Sequence, residues 1–387
     1  MKMHDRYIHQ REITIIVTHA CNLRCRYCYY DKTADGKMGA VPDATKIKLL
    51  LASEFNEHKI PVRITYHGGE PFINWHFIRD LSEWVWTVRP DVEFLVTTNG
   101  TILNDEMKRW LRAHQEKFTV VLSIDGPKEV HDLGRPNSFD RIDRRFFAET
   151  YPTVGVKMTV TPVTLPVLFE SFCFLHDQGF YVNPSLAREV KWDMDTDLLL
   201  YESELAKLSE WYLANPKIPP AELLGVDFLA QPVSLTDRHF CACGAGRGMI
   251  AYDVDGKAYP CHSFIDFKRC VEQTELDGLF DLLQKNDAHV LNSPCAQCFY
   301  APWCSPCYGL SYVNRGTMGR LDPQMCHFAE VTIPLAAKMQ GEMLVADLEY
   351  SFMKRFSEKE RSAIGKTVYT ILKAKRQFGH LKGKEVN

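Results

Sequence analysis

Short apolar runs recur along the first half of the chain, each followed by a longer amphipathic stretch. The runs are "ITIIVT" (13–18), "VRITYHGG" (62–69), "EFLVTTNG" (93–100), "TVVLSIDG" (119–126), "VGVKMTVTP" (154–162) and "FYVNPSLA" (180–187). Most are β-branched and apolar without strict alternation, which predicts strands covered on both faces. Between them, "PDATKIKLLLASEFNEH" (42–58) and "HFIRDLSEWVWTV" (76–88) carry helical spacing, and Pro42 followed by Asp43 predicts a helix start. This βαβα order predicts an α/β fold with a parallel sheet, open or closed into a barrel. Several strands end in polar or glycine-rich motifs: "THAC", "HGGEP", "TTNGT", "SIDGP" and "VTP". In parallel α/β architectures strand C-termini face the active site, so these motifs are expected to converge on one mouth.

Later segments read differently. Residues 191 to 230 are helical and linker-like, and 241 to 326 are dense in cysteine, glycine and proline. That dense segment has too little apolar periodicity for a large core of its own and is expected to depend on metal. Residues 327 to 387 predict helix, and their basic end, "KAKRQFGHLKGK", reads as a solvated face and tail.

Composition narrows the function classes. Of 387 residues, 45% are apolar and 25% charged, as expected for a packed globular protein. A formal charge of −3 predicts no nucleic-acid footprint. No apolar run reaches 18 residues, so no membrane span is expected. The first residues lack a signal-peptide pattern, which predicts a cytoplasmic protein. In a reducing compartment, 13 clustered cysteines predict metal binding rather than disulfides. Cys173, in "SFCFLHDQGF", reads instead as a small buried hydrophobe.

The first cluster is "THACNLRCRYCYYDK" (18–32), with Cys21, Cys25 and Cys28 spaced C-x3-C-x2-C. Structural zinc sites close with four ligands, so three thiols alone do not suit one. His19 is the alternative fourth ligand. A [4Fe–4S] cubane also takes four cysteines. With three, one iron stays open for a substrate or cofactor.

This motif, with Tyr27 just before its third cysteine, resembles the radical S-adenosylmethionine (SAM) superfamily. The resemblance implies a partial (β/α)6 TIM-like barrel with SAM chelated on the open iron. It implies reductive cleavage of SAM to a 5′-deoxyadenosyl radical. "HGGEP" resembles the family's SAM-binding motif, which implies cofactor contacts from Gly68, Gly69 and Glu70. "SIDGP" resembles the ribose-contacting strand, which implies contacts from Ser123 and Asp125. Thr97, Thr98 and Asn99 receive no role.

A second cysteine field comprises "CACGAGRGMIAYDVDGKAYPC" (241–261) and "CAQCFYAPWCSPC" (295–307), followed by Cys326. The turn "DVDGK" predicts a hairpin that brings Cys243 near Cys261. Paired C-x2-C units suit zinc ribbons as well as iron–sulfur clusters. The whole pattern resembles the SPASM extension of radical SAM enzymes, which carries two auxiliary [4Fe–4S] clusters, three clusters in all. By that resemblance Cys243, Cys261 and Cys307 serve auxiliary cluster I, and Cys295, Cys298, Cys304 and Cys326 serve cluster II. Cys304 and Cys307 are separated by two residues where the family usually has three, a departure that bears on Cys307. Cluster I lacks an obvious fourth ligand. Cys241 leads, Cys270 follows, and an open, substrate-binding iron is the third alternative.

The resemblance implies domains at 1–230 (barrel and linker helices), 231–330 (SPASM) and 331–387 (helical tail). It also implies a peptide maturase that crosslinks a ribosomally made precursor peptide and takes electrons from a flavodoxin or ferredoxin. Anaerobic sulfatase maturation is the alternative. There an aspartate follows the G-x4-C cysteine as base, whereas here His262 follows Cys261. A metal-dependent scaffold or electron carrier is the non-enzymatic alternative. Asp125, His262 and Arg135 are the acid–base candidates by their place beside the motifs. The first strand begins near residue 13, so leader binding is expected at the barrel rim, the cysteine-rich domain or the tail.

Overall fold

The computed structural model describes residues 10–30, 40–224, 244–265, 271–284, 298–304, 306–319, 322–346 and 353–378. All six predicted strands form: β1 (Arg11–Thr18), β2 (Val62–Gly68), β3 (Glu93–Thr98), β4 (Phe118–Leu122), β5 (Gly155–Val160) and β6 (Tyr181–Leu186). Strands β1 to β4 pair in parallel in the order β4-β3-β2-β1, and β5 pairs in parallel with β6. A bridge between Ser123 and Lys157, with Ile124 N–H donating to Lys157 O (3.0 Å), joins the two sheets into one curved wall.

Helices close the outside of this wall. The first, α1 (Ala44–Glu57), starts where Asp43 accepts from Thr45 N–H (2.8 Å) and Lys46 N–H (3.2 Å), the N-cap signalled by Pro42–Asp43. Along β1, Ile13, Ile15 and Val17 join the main core with Ile47 and Leu51 of α1, while Ile16 faces a second, smaller core. Strand alternation thus serves two cores at once. Burying each such aliphatic side chain contributes roughly 1.5–3 kcal/mol.

The hairpin expected from "DVDGK" also forms, as β7 (Met249–Tyr252) and β8 (Ala258–Tyr259). Its placement was not legible. β7 pairs in parallel with β1, from Glu12↔Met249 to Ile15↔Tyr252, and so extends the barrel sheet. A buried polar cluster fastens this junction. Arg11 Nε and Nη2 donate to Glu54 (2.9 and 3.2 Å), its Nη1 donates to Arg247 O (2.6 Å), and Tyr252 donates to Glu54 (2.8 Å).

The C-terminal region is helical as expected, and it is docked rather than free. A long helix, Pro323–Ala346, lies against the helix Asp197–Ala214. Phe328 packs edge-on to Trp192 (4.9 Å) and Tyr201 (5.0 Å), and Tyr201 and Thr332 hydroxyls hydrogen-bond at 2.7 Å. Ile364 and Ile371 of the last helix, Glu358–Phe378, are buried in the same core. Among the described residues, no helix is long and apolar enough to cross a membrane.

Candidate active site

The loop carrying Cys21, Cys25 and Cys28 leaves β1 at Thr18 and is gripped from three sides. Beneath it, Gly69 N–H donates to Thr18 O (3.0 Å) and Glu70 N–H to Ala20 O (2.8 Å). Gly68 has φ +152°, and a Cβ there would lie 2.1 Å from Thr18 O. A Cβ on Gly69 would lie 2.3 Å from Ala20 O, so only glycine allows this approach. From the β3 end, Asn99 Nδ2 donates to Asn22 Oδ1 (2.9 Å), and Asn22 Nδ2 donates to Thr101 Oγ1 (2.8 Å). From the helix Lys128–Gly134, Gly134 O accepts from Arg26 N–H (2.9 Å). Asn99, left without a role by the sequence, is a link between the glycine motif and the cysteine loop.

Glu70 is buried and accepts from Thr98 Oγ1 (2.7 Å), Asn99 N–H (2.7 Å) and Phe72 N–H (3.1 Å). Burial pushes its carboxyl up, while these three donors and Arg135 pull it down. Asp125 stands across the mouth. Its Oδ2 accepts from Tyr27 (2.5 Å) and Arg135 Nε (3.0 Å), and its Oδ1 accepts from Thr159 N–H (2.9 Å). The Arg135 guanidinium also lies over the Tyr27 ring, 5.4 Å from its centroid. Burial works against the Arg135 charge, but Asp125, Tyr27 and Cys25 outweigh it and raise its pKa. The three sequence candidates Tyr27, Asp125 and Arg135 are therefore one hydrogen-bonded unit, and Ser123 sits two residues before it on the same strand end.

His131, which no motif flagged, orients this unit. The Ser138 hydroxyl donates to Arg135 O (2.6 Å), so it accepts from His131 Nε2–H (2.8 Å), and His131 Nδ1 accepts from Asp125 N–H (3.2 Å). The neutral Nε2–H tautomer is thereby specified. Burial, ahead of the opposing influence of Asp125, lowers its pKa to about 4. An unfolded histidine titrates near 6.5. The folded state thus binds fewer protons between those values, and the contribution is full above pH 6.5 and lost toward pH 4. On this basis wild type should lose about 2 kcal/mol more than His131→Gln between pH 7 and pH 5. Equilibrium denaturation at the two pH values measures it. Equal losses would show that His131 does not titrate as described.

A second cysteine pair faces the same mouth. Cys261 follows β8, and Cys307 caps the helix Tyr308–Arg315. Packing of Tyr312 against Phe264 (5.7 Å) draws these segments together. Burial first, then neighbouring Cys307, pushes Cys261 up to about 12. A thiol raised in this way ionises more readily with a cation present, so Cys261 suits a metal cluster. Burial first, then Cys28, Cys307 and Cys261, raises the pKa of the Tyr29 phenol, which is next to Cys28 in the chain. His262 stacks on His67 (4.3 Å, 25°), and its buried Nδ1 has no hydrogen-bond partner among the described residues. Burial, then Lys157, holds its imidazole at about 4. His67 opens "HGGEP", but its stacking on His262 depends on contacts the sequence does not show.

His19 does not join the cysteines as the alternative fourth ligand. Its Nε2 pairs with Asp253 Oδ1 at 2.7 Å, both groups buried, and so ties the cysteine loop to the β7–β8 hairpin. Among the described residues no three His, Cys, Asp or Glu side chains gather round a single ion. In a cubane the thiolates bind different irons, so ligation does not require that convergence. Cys298 and Cys304 bracket a short turn in which Cys298 O accepts from Ala301 N–H (3.2 Å), and Cys326 lies in the first turn of Pro323–Ala346. Cys241, Cys243, Cys270 and Cys295 lie outside the described residues. Cys173 is half-buried on the helix Leu168–Asp177, and burial raises its thiol pKa, as expected of a packing residue.

Residues 15–166 match the family model of the Radical SAM superfamily. They form a radical SAM domain. The chain is 22% identical over 317 residues to the cysteine-type anaerobic sulfatase-maturating enzyme of Clostridium perfringens (strain 13 / Type A), covering 73% of this chain and 84% of that one. A solved structure of native anSMEcpe with bound AdoMet and Cp18Cys peptide shares the fold, with TM-score 0.66 and 18% identity over 87% of this chain and 99% of that one. Streptococcus suis SuiB bound to precursor peptide SuiA shares it at TM-score 0.55 and 16% identity, over 84% and 78%. The chain is an enzyme whose radical SAM domain has the donor set for a SAM-binding [4Fe–4S] cluster. Cys21, Cys25 and Cys28 would hold that cluster. The unit of Tyr27, Asp125 and Arg135 and the Gly68–Gly69–Glu70 turn would form the walls around SAM.

Proposed function

We propose that the protein is a SPASM-type radical SAM maturase that crosslinks a ribosomally made precursor peptide. When bound, the cluster and SAM would supply one-electron cleavage to a hydrogen-abstracting 5′-deoxyadenosyl radical. The observation that carries the crosslinking reading is the His67–His262 stack beside Cys261. It puts neutral imidazole where sulfatase maturation is expected to have a carboxylate base. Held neutral by burial, His262 would have a ring nitrogen free to accept a proton from a product radical, as a weaker base than an ordinary imidazole. The cofactor-binding residues are read as Tyr27, Gly68, Gly69, Glu70, Ser123 and Asp125. Auxiliary clusters on Cys261 and Cys307, and on Cys298, Cys304 and Cys326, would take the electron left after hydrogen abstraction. A flavodoxin or ferredoxin would deliver the first electron.

Sulfatase maturation is the second reading, favoured by the relative that covers 73% of the chain. Anaerobic turnover with SAM, dithionite and each peptide separates them by mass spectrometry. Crosslinking removes two hydrogens and keeps every sulfur, whereas formylglycine from cysteine replaces a thiol sulfur with an aldehyde oxygen. The combined Cys21→Ala, Cys25→Ala and Cys28→Ala variant is expected to make no 5′-deoxyadenosine while keeping the iron and sulfide of the other clusters. Zinc with little iron in wild type would overturn the auxiliary-cluster reading and favour a scaffold.

A further inference from the structure

Lys157 is a cation on the inner face of the barrel that the proposed chemistry leaves unused. Val156, Met158 and Val160 of β5 join the main core, so Lys157 and Thr159 face the other way, into the barrel. Lys157 sits between Ser123 of the neighbouring strand end and Asn183 of β6. It therefore faces the barrel interior beside the Ser123 strand end, next to the proposed SAM walls.

Among the described residues, its surroundings are short of negative charge. Lys157 makes no hydrogen bond or ion pair with any described residue, although solvent reaches its side chain. Burial is the largest influence lowering its pKa, followed by Arg135, with a smaller contribution from exposed Arg188 just beyond β6. Among the described residues, Glu222 is the acidic group acting in the opposite sense. The Asp125 carboxylate is already taken by Tyr27, Arg135 and Thr159. Lys157 is exposed to solvent on this face, and an ammonium with no bonded counter-ion among the described residues favours an incoming anion, for which hydrogen bonds to charged groups are the stronger kind.

We propose that Lys157, assisted by Arg188, binds a carboxylate of the peptide substrate and so selects peptides carrying an acidic group beside the reacting residue. This rests on the peptide-maturase reading and adds a substrate class to it. The carboxylate could belong to an Asp or Glu side chain or to a peptide C-terminus, and both present the same chemistry.

The test uses anaerobic, cluster-loaded, SAM-bound enzyme and fluorescently labelled synthetic peptides of Gly, Ser and Asp. Each is compared with its Asn counterpart, with and without C-terminal amidation, by fluorescence anisotropy. The Asp peptides are expected to bind about tenfold tighter than the Asn peptides. Lys157→Gln should erase the preference and Lys157→Arg should keep it. If Asp and Asn peptides bind equally and amidation weakens both, the C-terminal carboxylate is the ligand. Equal binding of Asp and Asn peptides with no effect of amidation would overturn the proposal. So would a Lys157→Gln variant that keeps the preference, or one that loses SAM affinity in the absence of peptide, since Lys157 would then serve SAM's own carboxylate. A wild type that shows the preference but modifies no peptide would instead overturn the maturase reading and leave the anion receptor standing.

Discussion

Gly69→Ala is expected to abolish SAM cleavage and to destabilise the fold. The added methyl would lie 2.3 Å from Ala20 O and 2.6 Å from His19 O, and both are backbone atoms. Neither can rotate away, so the cysteine loop itself must move. Ala20 precedes Cys21, and Glu70 N–H is bonded to Ala20 O at 2.8 Å. Displacing the loop therefore shifts the first thiol and strains the Glu70 turn together. Overpacking of this kind costs about 1–3 kcal/mol, and its rigid partners put this site at the upper end. The variant should show a lower denaturation midpoint, an altered cluster spectrum and no 5′-deoxyadenosine above background. Cleavage at the wild-type rate would mean that the loop does not rest on Gly69.

The second large effect is expected at Arg135. Arg135→Met leaves the buried Asp125 carboxylate with Tyr27 and Thr159 but without its cation. Removing one partner of a buried ion pair costs about 3–5 kcal/mol, and the two surviving donors place this case near the lower value. SAM binding should fall with it, because Arg135 also covers Tyr27 and the cysteine loop is tied to Gly134. A second substitution separates stability from function. In Arg135→Met combined with Asp125→Asn the uncompensated charge is gone, so most of the lost stability should return. SAM turnover should not return. If the double variant is no more stable than Arg135→Met, the cost does not come from the stranded carboxylate.

These two sites differ in how legible they were. Gly68, Gly69 and Glu70 stand consecutively in "HGGEP", and the need for glycine at a strand end follows from local chemistry. Arg135 and Asp125 were singled out by their place beside a motif, but their bond was not. The partner roles of His131, Asn22 and Asn99 had no signal in residue type or spacing. Each depends on where a second or third chain segment passes.

The sequence by itself determined the local structure and the donor groups. Six β-branched runs became six strands, because a residue's covering on both faces leaves its mark in its own hydrophobicity. Asp43 became an N-cap, and "DVDGK" became a hairpin, because those devices act within a few residues. The C-x3-C-x2-C spacing placed three thiols on one loop for the same reason. Tertiary structure alone decided how distant donors meet. His19 reaches Asp253 across a separation of 234 residues, and His67 finds His262 through the seating of β7 on β1. It also put Lys157 on the inner face without a bonded counter-ion among the described residues. Such contacts follow from which sheet edge is open and how helices close the wall, and these are properties of the whole packed chain that no single segment encodes.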